Sequence, residues 1–362
     1  MQSLEPDLSA PPTALAARWA ALRVEQPQLR ARDAAAALGV SEGELVASQV
    51  GAGTVRITGG RIGGDWSTIL QAVETLGPVM ALTRNESVVH EKTGTYQNVS
   101  AGSHVGLALG PDIDLRLFYT RWAHGFAVGG AEPAQPGPKP SLQFFDAAGT
   151  AIHKIFLTEG SDRAAFAALV ERFRHADQAR LLAPQEMIRP AVLDDGEIDV
   201  AGFRAGWDAM EDTHQFFGLL KSHRLDRLQA MRLAEPQRAE PVGRDALRRV
   251  LTAAAATGAA IMVFVGNPGC LQIHTGPVHR LHDMGPWLNV LDPGFNLHLR
   301  EDRIDSAWVV RKPTKDGVVT SLELFDVDNT LMAMLFGARK PGQPERADWR
   351  ELVARVSTLG AA

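Results

Sequence analysis

Cysteine is almost absent from this chain of 362 residues: Cys270 is the only one. One thiol excludes an internal disulfide framework, a Cys-rich zinc site and the paired thiols of a covalently attached c-type haem. A surplus of positive charge is missing too. Lys and Arg number 37 against 42 Asp and Glu, for a formal net charge of -5, whereas nucleic-acid binders use the opposite balance to displace counterions. No nucleic-acid partner is expected. No apolar run reaches the roughly 18 residues that span a bilayer, so no membrane span is expected. The opening MQSLEPDLSAPP has acids and prolines where an export signal has a basic and then an apolar region. A cytoplasmic, reducing location is the expectation. There is also no GxSxG elbow, no phosphate-cradling GxxxxGK[ST], no HExxH and no flavin or nicotinamide fingerprint. Hydrolase and nucleotide-dependent chemistry lack support.

What the chain does have is bulk and repetition. With 45% hydrophobic and 22% charged residues it is no disordered segment, and its length suits one large domain or two of about 150 to 180 residues. Internal similarity decides between these. MALTRNESVVHEKTG, from Met80 to Gly94, matches MVFVGNPGCLQIHTG, from Met262 to Gly276, 182 residues on, with Asn85 over Asn267. At the same spacing DLRLF (Asp114 to Phe118) falls on NLHLR (Asn296 to Arg300), placing Arg116 over His298, and at a spacing of 180 SLQFFDAAGT from Ser141 matches SLELFDVDNT from Ser321. The expected domains are a first repeat over 1–180, a linker over 181–199 with the boundary near 190, and a second repeat over 200–362.

Periodicity and turn signals give each half the same order. Helices are expected at 13–24, 31–37 and 42–49, then at 203–222, 224–233 and 244–256 in the second half. Strands are expected at 78–83, 87–91, 104–109, 113–119, 141–146 and 151–157. The second set falls at 260–265, 270–274, 286–291, 295–300, 304–311, 319–326 and 331–337. A helix closes each half, at 163–176 and 346–358, and residues 127–140 read as a Pro/Gly-rich loop. Strands joined by short turns, with helices grouped before and after them, indicate α+β with antiparallel sheets.

Within FRAGWDAMEDTHQFFGLL, the residues Phe203, Trp207, Met210, His214 and Phe217 are spaced as one stripe of a helix. An imidazole on such a stripe is in the plain reading a core histidine bonded to a neighbour. Its company of Phe, Trp and Met just after the linker also suits a haem or another flat apolar ligand held by His214 between the halves. In IDLRLF, strand alternation puts Ile113, Leu115 and Leu117 on one face and Asp114, Arg116 and Phe118 on the other. Arg116 either pairs with Asp114 on a solvated face or, if that face lines a cleft, reaches a ligand's metal or carboxylates. Arg227, Lys312 and Arg339 read as ordinary surface charges that could equally hold anionic groups. ARDAAAALGVSEGELVASQ (Ala31 to Gln49) has the outline of a helix-turn-helix, but Glu42 and Glu44 in its second helix would meet phosphates with acids. Packed helices are the expectation there. The trio His274, His279 and His282 lacks acidic or Cys ligands at fixed spacing, so an exposed loop is expected rather than a metal site.

Taken in order, LGVSEGEL, ALTRN, VHEKTG, DLRLF, SLQFFD, DTHQFF, MVFVGNPGC, RKPTKDG, VTSLELF and WRELVARV resemble the haemin-degrading or haemin-transport proteins of the HemS, HmuS and ChuS type. The resemblance covers nearly the whole chain. It implies two similar α+β halves whose large antiparallel sheets stack centrally with helices outside, and a haem in the cleft between the halves. By motif it implies His214 as ligand of the haem iron and Arg116 on the opposite face, orienting what the iron binds. It also implies Arg227, Lys312 and Arg339 as pocket cations beside Phe336. The chain departs from the family pattern at Phe336, where tyrosine is usual, and at Met334, where glutamine is. Two roles follow from the resemblance. One is degradation of haem with O2 and an external electron donor, releasing iron for iron acquisition, with Arg116 and His214 as the catalytic pair. The other is a non-enzymatic chaperone between a haem ABC importer and a separate haem oxygenase.

Overall fold

The computed structural model describes residues 13–59, 65–100, 102, 104–130, 138–186, 192–340 and 342–357. The segment 1–12, the middle of the expected loop at 131–137, residues 187–191 of the expected linker and the end of the helix expected at 346–358 lie outside the described residues. The elements begin with α1 (Ala14–Glu25), α2 (Ala31–Leu38), α3 (Glu42–Ala47), β1 (Thr54–Ile57) and α4 (Trp66–Val73). A run of strands follows: β2 (Val79–Arg84), β3 (Val88–Gly94), β4 (Val105–Leu109), β5 (Asp114–Phe118), β6 (His124–Val128), β7 (Ser141–Phe145) and β8 (Ala151–Leu157). Then come α5 (Arg163–Arg172), α6 (Val200–Asp208), α7 (Gln215–Ser222), α8 (Arg227–Leu233), β9 (Ala239–Val242) and α9 (Ala246–Thr257). The chain closes with β10 (Ile261–Asn267), β11 (Cys270–Gly276), β12 (Leu281–Met284), β13 (Trp287–Asp292), β14 (Phe295–Arg300), β15 (Ile304–Thr314), β16 (Gly317–Asp326), β17 (Leu331–Gly337) and α10 (Ala347–Ala354).

The class is α+β, with two large antiparallel sheets flanked by helices, and the duplication is explicit in the strand order. The run β1-β6-β7-β8-β2 in the first half recurs as β9-β15-β16-β17-β10 in the second. Register recurs with it: Ser141 pairs with Phe156 and Gln143 with Lys154, as Ser321 pairs with Phe336 and Glu323 with Met334. Even the hairpin turns match. Asp146 accepts from the backbone N–H of Ala148 and Thr150, and Asp326 from Asp328 and Thr330. The left-handed position of the turn is Gly149 (φ +77°) in one and Asn329 (φ +58°) in the other, both residue types that tolerate it.

Two compact units form, and neither is one stretch of chain. The first takes Met1–Arg84, Glu91–Ile188 and Asn267–Gln272; the second takes Asn85–His90, Arg189–Gly266 and Ile273–Ala362. The two transplanted pieces are the equivalent hairpin tips noted at the 182-residue spacing. In the first unit Asn267 Nδ2 donates to the carbonyls of Arg84 (2.9 Å) and Ile152 (2.8 Å). In the second, Asn85 Nδ2 donates to those of Gly266 (3.2 Å) and Met332 (2.8 Å).

Each unit has its own core. In the first, Ile69 and Leu70 of α4 and Phe166 of α5 meet Leu142, Phe144 and Ile155 of the sheet, while Val46 and Ala47 of α3 meet Phe126 and Phe145 on its other face. In the second, α9 and α10 cover one face, with Trp349 fully buried against Val263, Leu322 and Leu335. Gly337 is required there because a Cβ would lie 2.6 Å from that of Trp349. The other face lies partly under α6 to α8 through Phe203, Trp207, Phe216 and Met231.

The residues of the apparent helix-turn-helix are packed helices. Gly39 (φ +67°) ends α2, Ser41 and Glu44 form a capping box for α3, and Glu42 is buried against Arg84 and Lys154. Several elements differ from expectation. β1, β6, β9, β12 and α4 appear where no element was expected, β6 entering what was read as loop. β9 carries Pro241 and stands at the end of its strand order, where a missing N–H costs no ladder bond. No helix among the described residues is long and apolar enough to cross a membrane.

Two tests concern stability. Trp349→Ala should cost about 3–5 kcal/mol in chemical denaturation, and a loss under about 1 kcal/mol would show that this core does not depend on it. Burial alone raises the Glu42 carboxyl, but Lys154 and Arg84 outweigh burial and bring it from 4.5 down to about 2. Its stabilisation is therefore present above about pH 4.5 and lost as pH falls towards about 2. The denaturation midpoint should fall over that window, and Glu42→Gln should flatten the fall while lowering stability at neutral pH. Equal slopes in both proteins would exclude Glu42 as the source.

Candidate functional site

The sequence 203–222 does not run as one helix, so the stripe through His214 does not form. α6 stops at Asp208 and α7 starts at Gln215, because polar side chains capture the backbone between them. Gln215 Oε1 accepts from the N–H of Glu211 (2.8 Å) and Asp212 (3.2 Å), and Asp212 Oδ1 accepts from that of His214 (2.8 Å). His214 is consequently 89% exposed rather than within an apolar face. Phe217 is exposed as well, whereas Phe203, Trp207 and Met210 are buried.

Asp212 supplies a partner that sequence reasoning missed, although it stands two places away in the same DTHQFF segment. Its Oδ1 lies 2.6 Å from His214 Nδ1. The backbone N–H of His214 holds the Asp212 carboxyl below its ordinary range, aided by the imidazole and by the charge of Arg339. A carboxylate only accepts, so Nδ1 carries the proton and the Nε2 lone pair of the neutral ring points away from it. Nε2 has no hydrogen-bond partner among the described residues. His223, at the end of α7, is half-buried with its ring 6.0 Å from that of Phe203.

The second unit gathers most of the expected site residues around this turn. Lys315 N–H donates to the Glu211 carbonyl (3.0 Å), and Trp207 Nε1 to that of Arg311 (2.9 Å), tying the turn to β15 and its hairpin. Arg339, just past β17, has Nη2 3.8 Å from Asp316 Oδ2. Its Nη1 is buried without a hydrogen-bond partner among the described residues. Arg227, the first residue of α8, is bound in a fork by Glu323: Nε to Oε2 at 2.6 Å and Nη2 to Oε1 at 2.9 Å. Lys312 is buried and donates to the same Oε1 at 2.8 Å, with Ser321 Oγ at 3.0 Å. Burial, opposed by Glu323 and assisted by Arg227, brings the Lys312 ammonium down to about 8. Lys312 is thus a partner of a buried acid and no surface cation.

Residues opposite one another in an antiparallel sheet share a face. Glu323 pairs with Met334 and Met334 with Phe264, while Ser321 pairs with Phe336 and Phe336 with Met262. Met262, Phe264, Met334 and Phe336 are half-buried on that face, with the Phe264 and Phe336 rings 4.9 Å apart. They form an apolar platform. Met334 takes up one edge of the Arg227 fork, its Sδ lying 3.1 Å from Nη2. An outward imidazole nitrogen, an apolar platform, a half-exposed guanidinium and an orphaned buried one together suit a flat, apolar, metal-bearing ligand with anionic groups.

Arg116 belongs to the first unit. Leu115 and Leu117 are buried and Arg116 is on the other side of β5, as alternation required, where it forms an ion pair with Asp114. Of the histidine trio, His279 is exposed between strands as expected, whereas His274 is buried and stacked on Phe295 at 3.7 Å and His282 is on β12, which corrects the exposed-loop reading for those two. No group of three metal-ligating side chains occurs among the described residues.

Comparisons with known proteins bear on the family and the fold. The model of the haemin-degrading HemS.ChuX domain matches the chain twice, at residues 39–173 and 224–356. The hemin transport protein HmuS of Yersinia pestis is 42% identical over 92% of this chain and 94% of its own length. Holo-PhuS, a heme-binding protein from Pseudomonas aeruginosa, superposes with a TM-score of 0.90 at 53% identity, covering 95% of this chain and 98% of that one. The heme degrading enzyme ChuS of Escherichia coli O157:H7 gives 0.86 at 40% identity, covering 94% and 98%. The two family matches start 185 residues apart, and at that spacing Glu42, the first residue of α3, stands where Arg227, the first residue of α8, does. Matched twice over by one domain model and along nearly its whole length by these relatives, the chain belongs to the haemin-degrading HemS/ChuX family.

Proposed function

We propose that this chain binds haem as a substrate and degrades it with O2 and an external reductant, releasing iron for iron acquisition. The observation that carries the reading is His214, whose Nδ1 is held by Asp212 while Nε2 faces solvent without a protein partner among the described residues. A carboxylate on Nδ1 fixes the tautomer and strengthens Nε2 as a metal ligand. The remaining residues suit the rest of a haem. Met262, Phe264, Met334 and Phe336 offer apolar surface, Arg227 and the unpartnered Nη1 of Arg339 suit propionates, and Lys312 acts from behind Glu323. Arg116 is assigned to the opposite face of the haem by its DLRLF motif. The fingerprint-free sequence points to electrons from a separate donor. The degrading activity named for ChuS at 40% identity supports the enzymatic reading.

The exposure of His214 also favours a second reading, since an imidazole on a surface turn can give up its ligand to another protein. The chain would then be a cytoplasmic chaperone taking haem from an ABC importer to a haem oxygenase, a role in keeping with the transport names of relatives 42% and 41% identical. Haemin added to pure protein with a reductant and catalase separates the two. Decay of the Soret band with release of iron and a linear tetrapyrrole is the outcome expected for degradation. A stable band that disappears only when a haem oxygenase is supplied would overturn it in favour of the chaperone.

The ligand assignment has its own test. His214→Ala should shift the Soret band and weaken haemin binding, and Asp212→Asn should weaken it by about 10- to 100-fold through loss of the carboxylate partner. An unaltered spectrum and affinity in His214→Ala would transfer the assignment to His223.

A further inference from the structure

We infer that Glu323 is a positioning residue for ligand recognition: by occupying one edge of the Arg227 guanidinium it fixes the other edge, ending in Nη1, at the rim of the apolar platform to receive a ligand carboxylate. The inference rests on haem being the ligand and on Arg227 meeting a propionate, and adds the residue that holds that guanidinium in place. A guanidinium presents its donors as a planar fork, so binding Nε and Nη2 through one carboxylate determines where Nη1 lies. The distances of 2.6 and 2.9 Å satisfy both arms. The Arg227 carbon stands 5.2 Å above the Phe216 ring and Met334 Sδ closes the outer side of Nη2, which leaves the plane no freedom to turn. Nη1 makes no hydrogen bond to the protein among the described residues, and the Arg227 side chain is 26% exposed.

Lys312 explains why a buried acid can serve this purpose. Glu323 has no exposure, and one arginine shared with a ligand anion would leave it poorly neutralised. The Lys312 ammonium at 2.8 Å and the Ser321 hydroxyl at 3.0 Å keep Glu323 charged when Arg227 also faces a carboxylate. The other copy lacks the device altogether. Gln143 stands at the place of Glu323 and Glu42 at that of Arg227, with Glu42 closed off by Arg84 and Lys154. The clamp occurs together with the unit that carries Asp212 and His214.

The test compares haemin with its dimethyl ester, in which both propionates are blocked. The unaltered protein should prefer haemin by about tenfold or more, the scale of one charge-assisted bond. Glu323→Gln should abolish most of that preference and leave the Soret position unchanged, since iron ligation is untouched. The double variant Glu323→Gln, Lys312→Met removes the buried pair together and folds even where the single change does not; it should behave alike. General unfolding would move the spectrum as well as the preference. Retention of the haemin preference in either folded variant, or its absence in the unaltered protein, overturns the inference. Failure of the unaltered protein to bind haemin at all would instead overturn the haem reading beneath it.

Discussion

A carboxylate deprived of water stays charged only if cations and donors come to it, and in the second unit that constraint organises the whole site. Burial by itself raises the Glu323 carboxyl, but Arg227 and Lys312 outweigh burial and hold it well below the usual range. To do so, the first residue of α8 and the far end of β15 must both reach the middle of β16. Phe216 and Trp207 then cover the Lys312 ammonium, at 4.6 and 5.9 Å from their rings, which sets α6 and α7 over the sheet. With the helices so placed, the turn between them carries His214 out to solvent. The site is thus assembled from the buried acid outwards.

The two copies show how one fold supports two different interiors. In the first unit the acid comes from the helix, as Glu42, and both cations from strands, as Arg84 and Lys154. In the second the helix supplies a cation and the strand the acid. Charge neutrality is met in both, so both are stable solutions of one packing problem, but only the second leaves a half-exposed guanidinium. Duplication preserved the strand order, the register and the Asp-anchored turns, and the chemistry changed within them.

Much of the fold was legible because its signals are local. Alternation in DLRLF gave the faces of β5, and the 182-residue spacing gave the duplication. The same pattern reading passed over α4, although Trp66, Ile69, Leu70 and Val73 lie at helical spacing, because eight residues span only about two turns and give a short periodic signal. β9 was hidden by Pro241. The candidate site residues rest on motif resemblance, and their environment was where residue patterning failed. A spacing of four, three, four and three fits a helix only if the backbone stays helical, and the capture of backbone N–H groups by Asp212 and Gln215 is a competition that a hydrophobic pattern does not record. The burial of Lys312 was equally invisible, since its partner Glu323 is 11 residues away along the chain and across a hairpin.

The central claim is that His214 presents Nε2 to a haem iron while Asp212 retains the proton on Nδ1. Nitrogen-15 NMR of protein labelled in its histidine rings, recorded with and without ferric haemin and assigned with His214→Ala, measures this directly. The expected result is a large paramagnetic shift of one ring nitrogen of His214 upon haemin binding, with Nδ1 still protonated. An unshifted His214 ring beside the shifted ring of another histidine would contradict it.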